Sequence, residues 1–466
     1  MRCHPIERPR LFVSLLLASL LRTAALTAIE PPAIPTSACL TDGQVEDLLL
    51  HDGVLYLAGR FLKVRPPGTD PGDPGEVDRR WFAACDAASG AVLAWDPQID
   101  CLGGGGGCTN ARGQSVVSAP GGTHLFLAGK FDTVGATPRK NAARVAIATA
   151  ALDPAFAPEP NDRVQRIVVA PDESRVYLGG NFTRAGGCTP APCHAYLAAV
   201  DPATGVAVAA FDPAITTADA SFRTVYSIAF SEEGDVLYFG GQFDTVNGEP
   251  RSSIAAVDPA TGTTTLLFAP RLSDSNPSDP YVQVHDIRVD HDWVYACGDW
   301  WETSDWGGMQ DQRNVNRFHP LTGIVDESFW IATDGGVQAC DLDPGLGVLF
   351  VGGHFDCVRA YLGRDNPVDH DPAQCGTDPL FLGTLQRDMF ALRLRDGGLV
   401  DWNPDTSGIG GTWAMSTSLG RLDLGGELGW PRTGTATHAN LLTFALPLFA
   451  DDFESGDRSR WSTTVP

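Results

Sequence analysis

Asp299, Glu302 and Asp305 crowd with Trp300, Trp301 and Trp306 into the nine residues GDWWETSDW, and His354 follows some fifty residues later. Carboxylates paired across a pocket can protonate and displace at a glycosidic bond. Asp299 and Glu302 with His354 therefore define one candidate chemistry, a glycan-active hydrolase or lyase. Tryptophans on a loop offer large amphipathic faces to a sugar ring or a peptide side chain. Trp301 and Trp306 thus define a second candidate, a binding surface; in isolation both rings are better read as closing over their own loop. A third cluster, Asp365, Asp369 and Asp371 beside His370 in RDNPVDHDP, has enough oxygens for calcium but lacks the D-x-D-x-D-G order, so a solvated acidic loop is expected. The run Gly103 to Gly107 has no following Lys-Ser or Lys-Thr, and neither H-E-x-x-H nor G-x-S-x-G occurs. No catalytic residue and no cofactor is assigned.

The elements that carry these residues repeat. LYLAGRF, LFLAGKF, VYLGGNF, LYFGGQF, VYACGDW, LFVGGHF and a looser LDLGGEL place their last glycines at Gly59, Gly129, Gly180, Gly241, Gly298, Gly353 and Gly426. Each unit reads as a short strand such as VYSIAF, a turn, and the glycine-ending strand. A loop with an arginine follows (Arg80, Arg139, Arg251, Arg317, Arg387 or Arg432), then a strand such as SIAAVD, a DPATG-type turn, and a fourth strand ending in WDP, FDP or WNP. Continuous apolar runs suit strands buried on both faces, and glycines suit close backbone approach. Abundant Gly and Pro (51 and 34) argue for turns over long helices. A unit of about fifty residues with insertions is the size of a propeller blade.

The order Gly-Gly-x-Phe, TVNGEPR, IAAVDPATG and Phe/Trp-Asp-Pro resembles the delta-60 repeat of secreted bacterial proteins, and is similar to kelch units, over roughly residues 41 to 446. The resemblance implies an all-β fold, a seven-bladed β-propeller of four-stranded antiparallel blades, in an exported protein; it implies no reaction. Six blades with an extension is the alternative. Residues from Ile34 to Leu40 are expected to supply the strand missing from the seventh unit.

In such an arrangement the loops after second and fourth strands share one face, and the long insertions fall in those loops. Insertions gathered on one face are how repeat folds elaborate a binding surface. Acids that recur from unit to unit (Asp132, Asp244 and Asp356; Asp201 and Asp258) are scaffold. Trp300 aligns with the repeat phenylalanine and belongs to the core. The polar residue after each Gly varies: Arg60, Lys130, Asn181, Gln242, Asp299, His354 and Glu427 are expected to encircle that face. Asn181 opens a glycosylation sequon by chance.

The chain begins as an export signal does. Arg2, Arg8 and Arg10 precede LFVSLLLASLL, too short to span a bilayer, and small residues follow, so cleavage is expected near Ala28. The expected organisation is a signal peptide at 1–28, the repeats at 29–448, and a tail at 449–466 with a sorting or attachment role. Formal net charge is −24, and residues 1–28 hold four basic residues and one acidic one, so the mature chain is more acidic still. Such a surface repels phosphate backbones and argues against nucleic acid. Ten cysteines remain after Cys3. Cys101 with Cys108, Cys188 with Cys193, and Cys357 with Cys375 are disulfide candidates, while pairing among Cys39, Cys85, Cys297 and Cys340 is open. The expectation is a monomeric, secreted or cell-surface module that binds an extracellular glycan or protein, with no membrane span.

Overall fold

The structure, a computed structural model, describes residues 38–446 except 103–109, 120, 188–193, 218–222, 274–281, 301, 306–307, 311–313, 359–383, 405–409, 419 and 431–436. Every regular element among the described residues is a β-strand. The export signal, the acidic RDNPVDHDP loop, Gly103 to Gly107, Arg432 and the tail lie outside the described residues.

The described residues form twelve antiparallel sheets, and seven of them, one built on each repeat unit, follow one another along the chain. Each starts with a strand, turns back into the glycine-ending strand, and adds a third on its far side. In the fourth sheet these are Thr224–Phe230, Leu237–Gln242 and Ile254–Val257. First strands of successive sheets pack together from Val45–His51 through to Gly411–Ser418, and Gly411–Ser418 packs in turn against Val45–His51. The apolar clusters lie between neighbouring sheets, with Tyr238, Ile254, Val284 and Trp300 in one of them.

The repeat glycines are explained by two close approaches. A Cβ on Gly241 would stand 2.1 Å from the Thr224 carbonyl oxygen, and one on Gly240 would stand 2.4 Å from Val284 Cγ1 of the next sheet. The first contact recurs at the last glycine of every unit. The second recurs where the seventh sheet meets the first, with Gly425 against Val45. Trp300 is fully buried, its indole N–H donating to Asn316 Oδ1 at 3.0 Å.

Three expectations need correction. Only the fifth sheet has four strands, Val325–Ile331 being the fourth. Elsewhere the fourth segment makes a single bridge, as at Val200 with Ala207 and Val257 with Thr264. Those segments run into Pro213 and Pro270, and proline donates nothing to a ladder; Val325–Ile331 contains none. Second, the arginine-bearing connection is largely a small hairpin. Thr245–Val246 pairs with Glu249–Pro250 across Asn247 and Gly248 (φ 52° and 80°), and on its other side with Ile215–Thr216. Arg317 is not in that connection but in the strand Val315–Phe318, where it pairs with Asp326. Third, Leu40 pairs with Arg65 and Thr41 with Val64 instead of joining the ladder of the seventh sheet, although Asn440 of that sheet donates its amide to Thr41 O at 2.9 Å; Ile34 to Ser37 of the expected segment lie outside the described residues.

The four cysteines of open pairing form Cys39–Cys85 and Cys297–Cys340, the latter joining the fifth sheet to the sixth. Cys101 and Cys357 are disulfide-bonded, with partners outside the described residues, where Cys188 and Cys193 also lie. Among the described residues no helix is long and apolar enough to cross a membrane.

Candidate functional site

All seven first strands carry a bulge at the same place. Register shifts fall between Val45 and Asp47, Val225 and Ser227, Val284 and Asp286, and at the matching positions of the other four. One residue is extra at each, and a bulge re-aims a side chain. The extra residues are Glu46, Gln114, Gln165, Tyr226, His285, Gln338 and Trp413, and all seven line one cup of about 290 Å³. The last repeat glycine lies against the carbonyl that precedes the bulge, so the glycine is what makes room for it.

One wall of the cup is cationic. Arg60 Nε pairs with Glu46 Oε1 at 2.5 Å and Arg112 Nη1 with the same oxygen at 3.4 Å, while Gln114 Nε2 donates to Glu46 Oε2 at 3.2 Å. Arg163 Nε donates to Asn181 Oδ1 at 3.2 Å. Turned to suit its neighbours, the Gln165 amide accepts from Arg163 Nη2 at 2.8 Å and donates to Gln114 Oε1 at 3.0 Å. Among the described residues no carboxylate stands within ion-pair distance of Arg163. Burial pushes Arg112 down to about 10 against the pull of Glu46, and burial also lowers Arg163. Both remain charged at neutral pH.

The facing wall is neutral and aromatic. The Tyr226 and His285 rings lie 5.0 Å apart, and half-buried Trp413 donates its indole N–H to Gly410 O at 2.8 Å. Burial pushes His285 down to about 4, with His354 adding to the effect and Asp286 opposing it. Burial raises the Tyr226 phenol. At neutral pH the wall is therefore uncharged.

Beneath the cup an ion-pair network connects the first strands. Arg166 Nη1 reaches Asp47 at 3.2 Å and its Nη2 reaches Asp286 at 3.8 Å; Arg288 reaches Asp286 at 2.6 Å and Asp341 at 2.7 Å. The remaining sheets join through Val116 N to Asp47, Ser227 Oγ to Asp286 and Thr417 Oγ1 to Asp341. Burial alone would lower Arg288, but Asp286 and Asp341 more than reverse it.

Of the described residues singled out from sequence, Arg60 lines the cup. Lys130, Gln242, Asp299 and Glu427 pair across from Arg112, Thr224, Gln283 and Gly411, the residues before the bulge. Gln242 is buried, with its Nε2 unpartnered. The Asp299 carboxylate lies against Gly336, whose carbonyl accepts from the backbone N–H of exposed His354 at 3.1 Å. Glu302 pairs through its backbone with Ser273; Trp301 and Trp306 lie outside the described residues. Among the described residues that line the cup, Glu46 is the one carboxylate, and they do not pair two carboxylates as glycoside hydrolysis requires. Among the described residues no group of three or more His, Cys, Asp or Glu is placed to hold a metal.

Sequence reasoning passed over the bulge residues because their types differ from unit to unit. The signal present was positional, a polar or aromatic residue second in VED, VYS, VHD and TWA.

Fold and site define an all-β protein of seven small sheets whose first strands share one polar cup. No family model matches the sequence, and no curated protein matches it. Among solved structures the chain is similar to the computationally designed Ika8 protein, at 10% identity and TM-score 0.44 over 88% of this chain and 98% of that one. It is also similar to Kuenenia stuttgartiensis hydrazine synthase, at 14% identity and TM-score 0.39 over 67% and 75%. At these values neither likeness bears on function.

Proposed function

We propose that this is an exported seven-bladed propeller of delta-60 type that works as a binding module, with the mouth of its central channel as the centre of the binding face. Seven blades are favoured over six because the seventh sheet packs against both the sixth and the first. Arg60 leads directly into the insertion that starts at Lys63, so the cup opens on the insert-bearing face. The single observation behind the binding role is that seven side chains of five types, one from each sheet, converge on one cup. A scaffold requirement would repeat one residue type throughout; here Gln recurs at three positions while Glu46, Tyr226, His285 and Trp413 each stand once, which makes the site asymmetric. Small-molecule sites have this form, concave with a few convergent polar groups.

The test is capture. The purified chain is immobilised and offered glycan and extracellular-protein panels, with turnover monitored alongside. Tyr226→Ala with Trp413→Ala is expected to abolish capture. Glu232→Ala with Glu233→Ala, in an exposed turn at the other end of the fourth sheet, is expected to leave it intact. Capture that survives the cup variant contradicts the proposal, and turnover of a captured glycan replaces it with the enzyme reading.

A further inference from the structure

The cup is cationic in a chain of formal net charge −24, and that local excess points to a ligand. Glu46 faces Arg60, Arg112 and Arg163 together, and it is engaged by two of them and by Gln114. The fourth guanidinium, Arg166, is held by Asp47 and Asp286. Arg163 has two amide oxygens as partners, which accept from its Nε and Nη2 without neutralising its charge. Burying a cation among other cations is unfavourable unless an anion offsets it. A structural role would be filled better by an apolar or amide residue. The distant acidic surface does not cancel the cup's field, since charges more than about 8–10 Å apart through solvent are screened at physiological salt.

The opposite wall sets the rest of the ligand. Tyr226, His285 and Trp413 present aromatic faces, which pack against a rigid ring, and Gln283 and Gln338 supply amides for hydroxyl groups. At about 290 Å³ the cup is at the small end of ligand pockets, room for one ring and its charged substituent rather than a polymer run. Beneath it, Arg166 and Arg288 bridge the first strands through Asp47, Asp286 and Asp341, so a chain entering the cup stops there.

Resting on the binding-module reading, we propose that the cup takes the anionic terminal ring of an acidic saccharide. The carboxylate or sulfate is clamped by Arg163, Arg112 and Arg60, and the ring lies on Tyr226 and Trp413. Guanidinium forks match such planar or tetrahedral oxyanions in geometry as well as charge.

The experiment is calorimetric titration of the purified chain with trigalacturonate, its fully methyl-esterified form, and glucose 6-sulfate. The acid is expected to bind, and the ester, which keeps the rings and loses the charge, to bind at least tenfold more weakly. Arg163→Gln is expected to weaken binding at least fivefold; exposed Arg60→Gln serves the same purpose should Arg163→Gln fail to fold. Binding of glucose 6-sulfate in place of trigalacturonate assigns the anion as sulfate, and binding of trigalacturonate alone assigns it as carboxylate. Equal affinity for acid and ester, unchanged binding by both arginine variants, or no binding of either acidic probe overturns the proposal. Should the acidic probes fail while the Tyr226 and Trp413 double variant still abolishes capture from the panels, the anionic assignment falls and the binding-module reading stands.

Discussion

A methyl group on Gly241 would sit 2.1 Å from the Thr224 carbonyl oxygen, whereas one on Gly248 would meet nothing within 4 Å. The two glycines lie seven residues apart and serve different ends: Gly241 admits the bulge that aims Tyr226, and Gly248 supplies a positive φ at a hairpin tip. Gly241→Ala should therefore cost about 1–3 kcal/mol or more through overpacking, against about 1 kcal/mol for Gly248→Ala through strain; urea melts of the two variants check the order. His285 gives a pH prediction. Its folded-state value of about 4 lies below the ordinary 6.5, so the folded chain holds fewer protons on this group than the unfolded one does. Its contribution is complete above pH 6.5 and is lost as pH falls from 6.5 to 4, about 3 kcal/mol in all. His285→Gln should flatten that part of the stability curve. At this scale the sequence showed which positions repeat, but not that the residue at the bulge of each first strand mattered. The bulge is a backbone irregularity, and Glu, Gln, Tyr, His and Trp share no type that would mark it.

The repeated elements were more legible than their edges. Apolar runs ending in glycine located every second strand, and the DPATG turns are as expected: Asp201 and Asp258 accept from their own turns, and Gly205 and Gly262 have φ of 75° and 74°. Fourth strands were overcounted because their apolar residues look strand-like, while the proline that ends pairing acts through a missing donor. The disulfides show the same limit. Cys297 and Cys340 are 43 residues apart and meet only because adjacent sheets pack. Replacing both with Ala should lower stability by about 2–4 kcal/mol without altering the far-ultraviolet dichroism of the sheets, a difference that chemical denaturation measures directly.

Across the whole molecule, the ion-pair network is where the seven sheets answer to one another. Asp47, Arg166, Asp286, Arg288 and Asp341 belong to four sheets, and Val116, Ser227 and Thr417 bring in the other three. Arg288→Met leaves Asp286 and Asp341 without their shared cation; Arg288 is half-buried, so the loss is expected to be about 1–3 kcal/mol, mainly from the buried Asp286 left with fewer partners. Thermal melts of this variant should show one cooperative transition at lower temperature, because the strands it joins span the molecule. None of this was legible in sequence, since partners such as Arg166 and Asp47 are 119 residues apart.

Hydrogen exchange tests the central claim most directly, by comparing the chain alone with the chain saturated with a captured ligand. The account predicts that protection gathers at the bulges of the first strands, around residues 44–47, 112–115, 163–166, 224–227, 283–286, 336–339 and 411–414. Protection confined to the opposite turns, around residues 171–175 and 231–235, with the bulges unchanged, would contradict it.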